Sequence, residues 1–302
     1  MMKHNRPWSR YAVRLYCLIR YGRAGGHAEE WWPDLRLSLV KGREGRGEIV
    51  YKGRRIAPLL PYPPSLPDRE ELIVVGSGPS LASQATERIP LESAFLLNGA
   101  IHLLGRYGGR PFGLVVEDDR FIYRHWRTLV ETVPAETECY FSTGAIRALC
   151  EKVPGWLAGQ KVHHLDFVNR PYDLPRPSLE GFRKLPFLVW SDEGNAAISL
   201  APQAGLMPAG SVAVTAAQIV LSLAPRRIGF AGIDLTATNQ PRFYEKEGDT
   251  AMSRLHVAQK RILAAFRLIR KEGGNRGIAI ENYSPISLLG SVGIAYSPRL
   301  EY

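Results

Sequence analysis

Two short stretches of the chain carry residue types that could do chemistry. The first, "VVGSGPSL" at 74–81, runs an apolar segment into glycine, serine, glycine, proline and serine. The backbone N–H groups of such a turn, and the helix N-terminus expected after it, favour a phosphate. Gly76, Ser77, Gly78 and Ser80 are therefore candidate phosphate-binding residues. A dinucleotide fold asks for a third glycine where this chain has Leu81, and for an acid about 20 residues further on, where the next apolar run ends in Asn98. No Lys-Ser or Lys-Thr comes after the glycines, so a Walker loop is excluded. A tight turn with a purely structural purpose stays open. The second stretch, "VVEDDRF" at 115–121, ends an apolar run in Glu117, Asp118 and Asp119. Carboxylates placed there suit a nucleophile, oxygen ligands for a divalent ion, or a helix cap by Asp119 with the others solvated.

The elements that must position these residues can be read from the alternation of apolar runs and helical segments. "LIVVG", "AFLLNG", "FGLVVED", "CYFST", "RIGFAGID" and "GIAIENYS" read as short buried strands, with helices expected over 120–133, 211–223 and 251–272. Strands buried on both faces with helices between them specify an α/β fold with a mostly parallel, Rossmann-like sheet flanked by helices. Ligands of such sheets lie beyond the carboxyl ends of the strands. That directs attention to Gly76–Ser80, Asn98, Glu117–Asp119, Ser142, Thr143, Asp234 and Asn282–Pro285. The polar segments 166–207 and 235–250 are long enough to be lids or surface loops. Before the body, alternating residues at 35–41 and 48–52 predict a hairpin around a glycine-rich turn, and five prolines between Pro58 and Pro67 mark a linker. The expected organisation is an N-terminal helix, hairpin and linker over 1–70, and a nucleotide-binding domain over 71–302.

Composition narrows the class. The 302 residues are 45% hydrophobic and 23% charged, the balance of a soluble globular chain. Cys17, Cys139 and Cys150 form no CxxC pair and no Cys/His cluster, so neither a disulfide frame nor a structural metal site is expected. The N-terminus lacks the apolar core of a secretion signal, and no stretch reaches the roughly 20 apolar residues of a membrane span. A net charge of +10 implies an anionic partner. In "RPWSRYAVRLYCLIRYGR" at 6–23, Trp8, Ala12, Leu15 and Ile19 recur at helical spacing among Arg10, Arg14, Arg20 and Arg23. This is the pattern of a basic amphipathic helix in an anionic membrane interface, and equally of a helix docked on the protein's own core. A nucleic-acid partner is not expected, since neither a helix-turn-helix nor an aromatic-lined basic sheet is visible.

Five blocks in order resemble the bacterial sialyltransferases of glycosyltransferase family 42. They are "VVGSGPSL", "AFLLNGA", "SVAVTAAQIVLSLAPRRIGFAGIDL", "HVAQKRILAAFRLI" and "IENYSPISLL", within a resemblance that runs over 72–289. The resemblance implies that Gly76, Ser77, Gly78 and Ser80 lie under the nucleotide phosphate, and that Asn98 holds donor phosphate or sugar. By the same resemblance Gly232 and Asp234 touch the cytidine, and Gly210 and Ser211 lie near the sugar carboxylate. His256 would be the general base and Tyr244 a lid tyrosine. Three departures stand out. Thr236 replaces a family tyrosine, the lid before His256 is short, and Glu117 occupies the place of a donor-facing asparagine. In the related retaining Kdo transferases a carboxylate is the nucleophile, which makes Glu117 and Asp118 catalytic candidates. The run is also similar to the DxD element of metal-dependent NDP-sugar transferases.

The expectation is a cytoplasmic glycosyltransferase, peripheral on the inner face of a bacterial inner membrane. It would move sialic acid or Kdo from a CMP donor to a surface glycan, capsule or lipopolysaccharide acceptor. No cofactor is expected, because the CMP-sugar is a substrate and its single phosphate can depart without a metal. The alternatives are a metal-dependent NDP-sugar transferase and a non-catalytic glycan- or lipid-binding protein on a transferase fold.

Overall fold

The computed structural model describes residues 6–38, 45–107, 109–236, 242–245 and 255–302. Among them the strands are β1 Leu35–Ser38, β2 Gly47–Tyr51, β3 Arg54–Leu59, β4 Glu71–Val75, β5 Ala94–Leu97, β6 Gly113–Val116, β7 Glu138–Ser142, β8 Lys161–Leu165, β9 Leu188–Trp190, β10 Ala197–Ser199, β11 Arg227–Ala231 and β12 Ala279–Asn282. The helices are α1 Trp8–Gly25, α2 Leu104–Tyr107, α3 Asp119–Thr132, α4 Thr143–Lys152, α5 Pro154–Ala158, α6 Leu179–Arg183, α7 Val212–Leu223 and α8 Leu255–Asn275. The fold is mixed α/β, with mostly parallel strands flanked by helices, as the alternation of apolar runs predicts.

The chain forms two compact units. One takes residues 1–62, 116–185 and 203–206, and the other takes 63–115, 186–202 and 207–302.

In the second unit β6, β5, β4, β11 and β12 lie side by side in that order, every pair parallel. Numbered along the chain this is 3-2-1-4-5, the doubly wound arrangement in which strand order reverses between β4 and β11. Leu72, Val74, Val75, Phe95, Leu96 and Phe230 are fully buried, which explains their unbroken apolar runs. The interior helix α7 is buried over most of its length, and its N-terminus is held by Ser211, whose Oγ accepts from the Ala213 amide at 3.3 Å. Phe266 of α8 meets Phe230 edge-to-face at 5.2 Å.

The first unit is built on β1, β2 and β3 as an antiparallel meander, with β3 and β7 both pairing parallel to β8. Here the reading of 58–67 as linker from its first proline is corrected, since Pro58 lies within β3 opposite Glu48 and Leu59 pairs with Val162. β8, "KVHHL", was not among the expected strands; two adjacent histidines conceal its alternation. Helix α1 turns Arg10 and Cys17 inward, at 4% and 0% exposure. Arg10 pairs with Glu29 at 3.2 Å, and Arg6 just before the helix pairs with Asp119 at 2.6 Å. One face of α1 is thus part of the unit's own packing.

Candidate functional site

The glycine loop leaves β4 at the point where strand order reverses, next to the loop that leaves β11. The Gly76 amide donates to Ala231 O at 2.8 Å and the Gly78 amide to Gly232 O at 2.9 Å. A Cβ on Gly78 would lie 2.5 Å from Asp234 Oδ2, and one on Gly76 would lie 2.4 Å from Gly232 O. The two glycines are therefore required by the approach of the second loop. They lead into a 3₁₀ turn, Pro79–Ser83, where the sequence predicts the start of a helix.

Asp234 closes the junction. Its Oδ2 accepts from the Ser80 amide at 2.9 Å and its Oδ1 from Ser80 Oγ at 2.5 Å. Ser284 Oγ lies 3.0 Å from Ser80 Oγ and accepts from the Gly232 amide at 2.8 Å. Ser80, Asp234 and Ser284 are buried, so this network ties the carboxyl ends of β4, β11 and β12 into one rigid piece. The amides of Gly76, Gly78 and Ser80 are engaged inside the protein.

One strand over, at the end of β5, the geometry is different. Asn98 has φ +43°, a left-handed conformation that costs a residue bearing a Cβ about 1–2 kcal/mol. Its Oδ1 is buried and has no hydrogen-bond partner among the described residues. Buried acceptors without partners are uncommon, and strained residues cluster where function requires them. Against the next residue lies Tyr244, so close that a Cβ on Gly99 would fall 2.1 Å from the ring. The same ring stacks on His102 with centroids 4.3 Å apart and 14° between planes. Tyr244 Oη accepts from Arg242 Nη1 at 2.9 Å, and a phenol so engaged is polarised toward donating its own proton. Arg106 stands 5.6 Å over the ring of Phe243 and adds a second positive charge. Burial, with Arg106 second, holds the His102 imidazole below its ordinary range, so it is a neutral stacking partner near pH 7.

The remaining expected donor residues lie in this unit as well. Gly210 has φ +97°, and a Cβ there would meet Ala258 of α8 at 2.7 Å. Ser211 caps α7. His256 is the second residue of α8, and its side chain lies outside the described residues.

The carboxylate run belongs to the first unit. Asp118, and not Asp119, is the N-cap of α3: its Oδ1 accepts from the Arg120 amide at 2.9 Å and both its oxygens accept from the Arg120 guanidinium. Burial acts to raise the Asp118 carboxyl, but hydrogen bonds and charge from Arg120 overcome it and hold the group below the usual range. Asp119 is the first helical residue and is 5% exposed, with Oδ1 gripped by Arg6. Its burial outweighs that pairing and pushes its carboxyl up. Glu117 is half-buried, and its carbonyl accepts from Ser142 Oγ at 2.7 Å. Among the described residues no three His, Cys, Asp or Glu side chains form a set that could hold a metal ion.

No family model matches the chain, and no curated protein matches it. Solved structures do. The sialyltransferase CstII from Campylobacter jejuni, solved with cytidine-5'-monophosphate, is similar at 15% identity over 77% of this chain and 87% of that one, with a TM-score of 0.44. The sialyltransferase Cst-I from the same organism is similar at 14% identity over 81% and 86%, with a TM-score of 0.46. The MAf glycosyltransferase from Magnetospirillum magneticum AMB-1 is similar at 16% identity over 82% of this chain and 35% of that one, with a TM-score of 0.46. Sialyltransferases are also the enzymes whose motifs the sequence resembles.

Of the candidate residues, then, the structure gathers Gly76, Gly78, Ser80, Gly232 and Asp234 at one junction and Asn98 with Tyr244 at the neighbouring strand end. His102, Arg106 and Arg242 escaped the sequence reading. The signal for His102 and Arg106 was their spacing, four and eight residues past Asn98, which brings both near the same strand end when the chain coils there.

Proposed function

We propose that the chain is a glycosyltransferase that moves an acidic sugar, sialic acid or Kdo, from a CMP donor to a glycan or glycolipid acceptor of the bacterial surface. What supports this reading is Asn98, a strained residue at a strand end whose buried side-chain oxygen has no hydrogen-bond partner among the described residues. A hydroxyl or amino group of the nucleotide sugar supplies the donor. The Tyr244 phenol, backed by Arg242, then donates to a phosphate oxygen, and Arg106 offsets its charge. The junction of Ser80, Asp234 and Ser284 holds the two loops in place beneath the ligand and does not itself bind the phosphate through the amides of Gly76, Gly78 or Ser80.

The reaction assigned to the site is a single displacement. The acceptor hydroxyl oxygen bonds to the anomeric carbon, the bond from that carbon to the phosphate oxygen breaks, and CMP leaves with the electron pair. His256 takes the hydroxyl proton, the role its motif implies. Asp118 and Asp119 serve the structure of α3, since each is held by an arginine.

Thermal unfolding with CMP, UDP, GDP and NAD tests the donor. A ligand present at about 100 times its dissociation constant adds roughly 2.7 kcal/mol to stability. CMP alone should raise the melting temperature, and a response to UDP without one to CMP overturns the reading. With donor and acceptor, His256→Ala should lower turnover about 100- to 10,000-fold, while Asp118→Asn leaves it nearly unchanged. A sugar adduct on the enzyme that Asp118→Asn or Glu117→Gln cannot form would establish a carboxylate nucleophile instead.

A further inference from the structure

Helix α1 leaves much of its apolar surface exposed. Its inward face carries Arg10 and Cys17, while Trp8, Leu15 and Ile19 point away from the protein at 77%, 61% and 77% exposure. At 3.6 residues per turn Trp8, Ala12, Leu15 and Ile19 form one continuous outward stripe, widened by Tyr11 and Leu18 at 40% and 42% exposure. Aromatic residues mark one end of the stripe, with Trp8 and Tyr11 rings 5.8 Å apart.

Charge identifies what the stripe faces. Residues 1–23 contain six lysines and arginines, and the first acid of the chain is Glu29. Arg14 lies along one edge of the apolar stripe and Arg20 along the other, both exposed, with exposed Arg23 in the last turn. An apolar strip bordered by arginines on both sides matches a surface that is apolar in depth and anionic at its boundary, which is a bilayer of acidic lipids. A second copy of this chain is a poor match, because the like-charged edges would meet. No described helix is long and apolar enough to cross a membrane, so α1 would lie in the interface plane.

We infer that the outward face of α1 is a membrane-docking surface for anionic bilayers, with Trp8, Leu15 and Ile19 inserted below the headgroups and Arg14, Arg20 and Arg23 in contact with lipid phosphates. The ion pairs of Arg6 and Arg10 orient the helix, so that the docking face is presented ready-made. This inference stands independently of the transferase reading.

The full chain should sediment with vesicles of equal parts phosphatidylglycerol and phosphatidylcholine and stay in solution with phosphatidylcholine alone. Leu15→Ser and Ile19→Ser remove exposed side chains, so the fold is kept while affinity falls at least about tenfold for each. Arg14→Gln and Arg20→Gln should each lower affinity about fivefold, and salt should weaken binding. Brominated lipid should quench the protein, and Trp8→Phe should remove most of that quenching. Binding that ignores the apolar substitutions overturns the inference, as does equal binding to neutral vesicles. A dimer in solution that Ile19→Ser dissolves, without vesicle binding, assigns the face to a second copy and also overturns it.

Discussion

Replacing Asn98 by glycine separates a residue kept for its ligand from one kept for the fold. Glycine adopts φ +43° without steric penalty, which relieves about 1 kcal/mol of strain. It also removes a buried oxygen that has no partner among the described residues, worth a further 1–3 kcal/mol by the usual cost of an unsatisfied group. Against this stand the added chain entropy of glycine, about 0.5–1 kcal/mol, and some lost packing. The net expectation is a protein about 1 kcal/mol more stable without ligand, seen as a melting temperature about 2–4 °C higher. CMP binding should move the other way, weakening about five- to tenfold with the loss of one hydrogen bond. Asn98→Ala isolates the two effects, because it removes the oxygen and keeps the strain. Calorimetric unfolding without ligand and titration calorimetry with CMP measure both quantities. An Asn98→Gly protein that is less stable and binds CMP as before would show that Asn98 is structural, and would refute the reasoning.

Three further predictions rest on the packing. Gly78→Ala places a methyl group 2.5 Å from Asp234 Oδ2 and 2.7 Å from Gly232 O, and should cost about 1–3 kcal/mol in urea unfolding. His164, bonded to Thr143 at 2.8 Å, has its pKa pushed down from 6.5 to about 4 by burial. The folded value lies below the unfolded one, so this contribution, about 3 kcal/mol, is complete above about pH 6.5 and is lost as the pH falls through about 4. His164→Gln should flatten that acid limb of the stability curve. Deleting residues 1–23 removes Arg6 and Arg10 and leaves Asp119 and Glu29 without their cations, so the truncated protein should lose about 3–5 kcal/mol in equilibrium unfolding.

The sequence by itself determined much of the α/β alternation, because strands such as β4, β5 and β11 are covered on both faces and must be apolar throughout. It also pointed to Asn98 and the glycine loop, since in a parallel sheet the residues after each strand are the ones a ligand meets. Only the tertiary structure decided what those residues touch. Gly76 and Gly78 read as a phosphate cradle from the sequence, and the structure adds a second demand for glycine there, since Gly232 and Asp234, more than 150 positions away, lie where their side chains would be. Pro58 reads as a strand breaker, yet it sits in β3 between β2 and β8, a pairing that no local pattern encodes. Asp118 and Asp119 are identical in type and adjacent, and only Arg120 and Arg6 tell them apart. For α1 the spacing of apolar residues fixed the stripe but not its direction. Partners distant in sequence decided that, because pairing Arg10 with Glu29, and Arg6 just before the helix with Asp119, turns the side bearing Arg10 and Cys17 inward and leaves Trp8, Leu15 and Ile19 facing out.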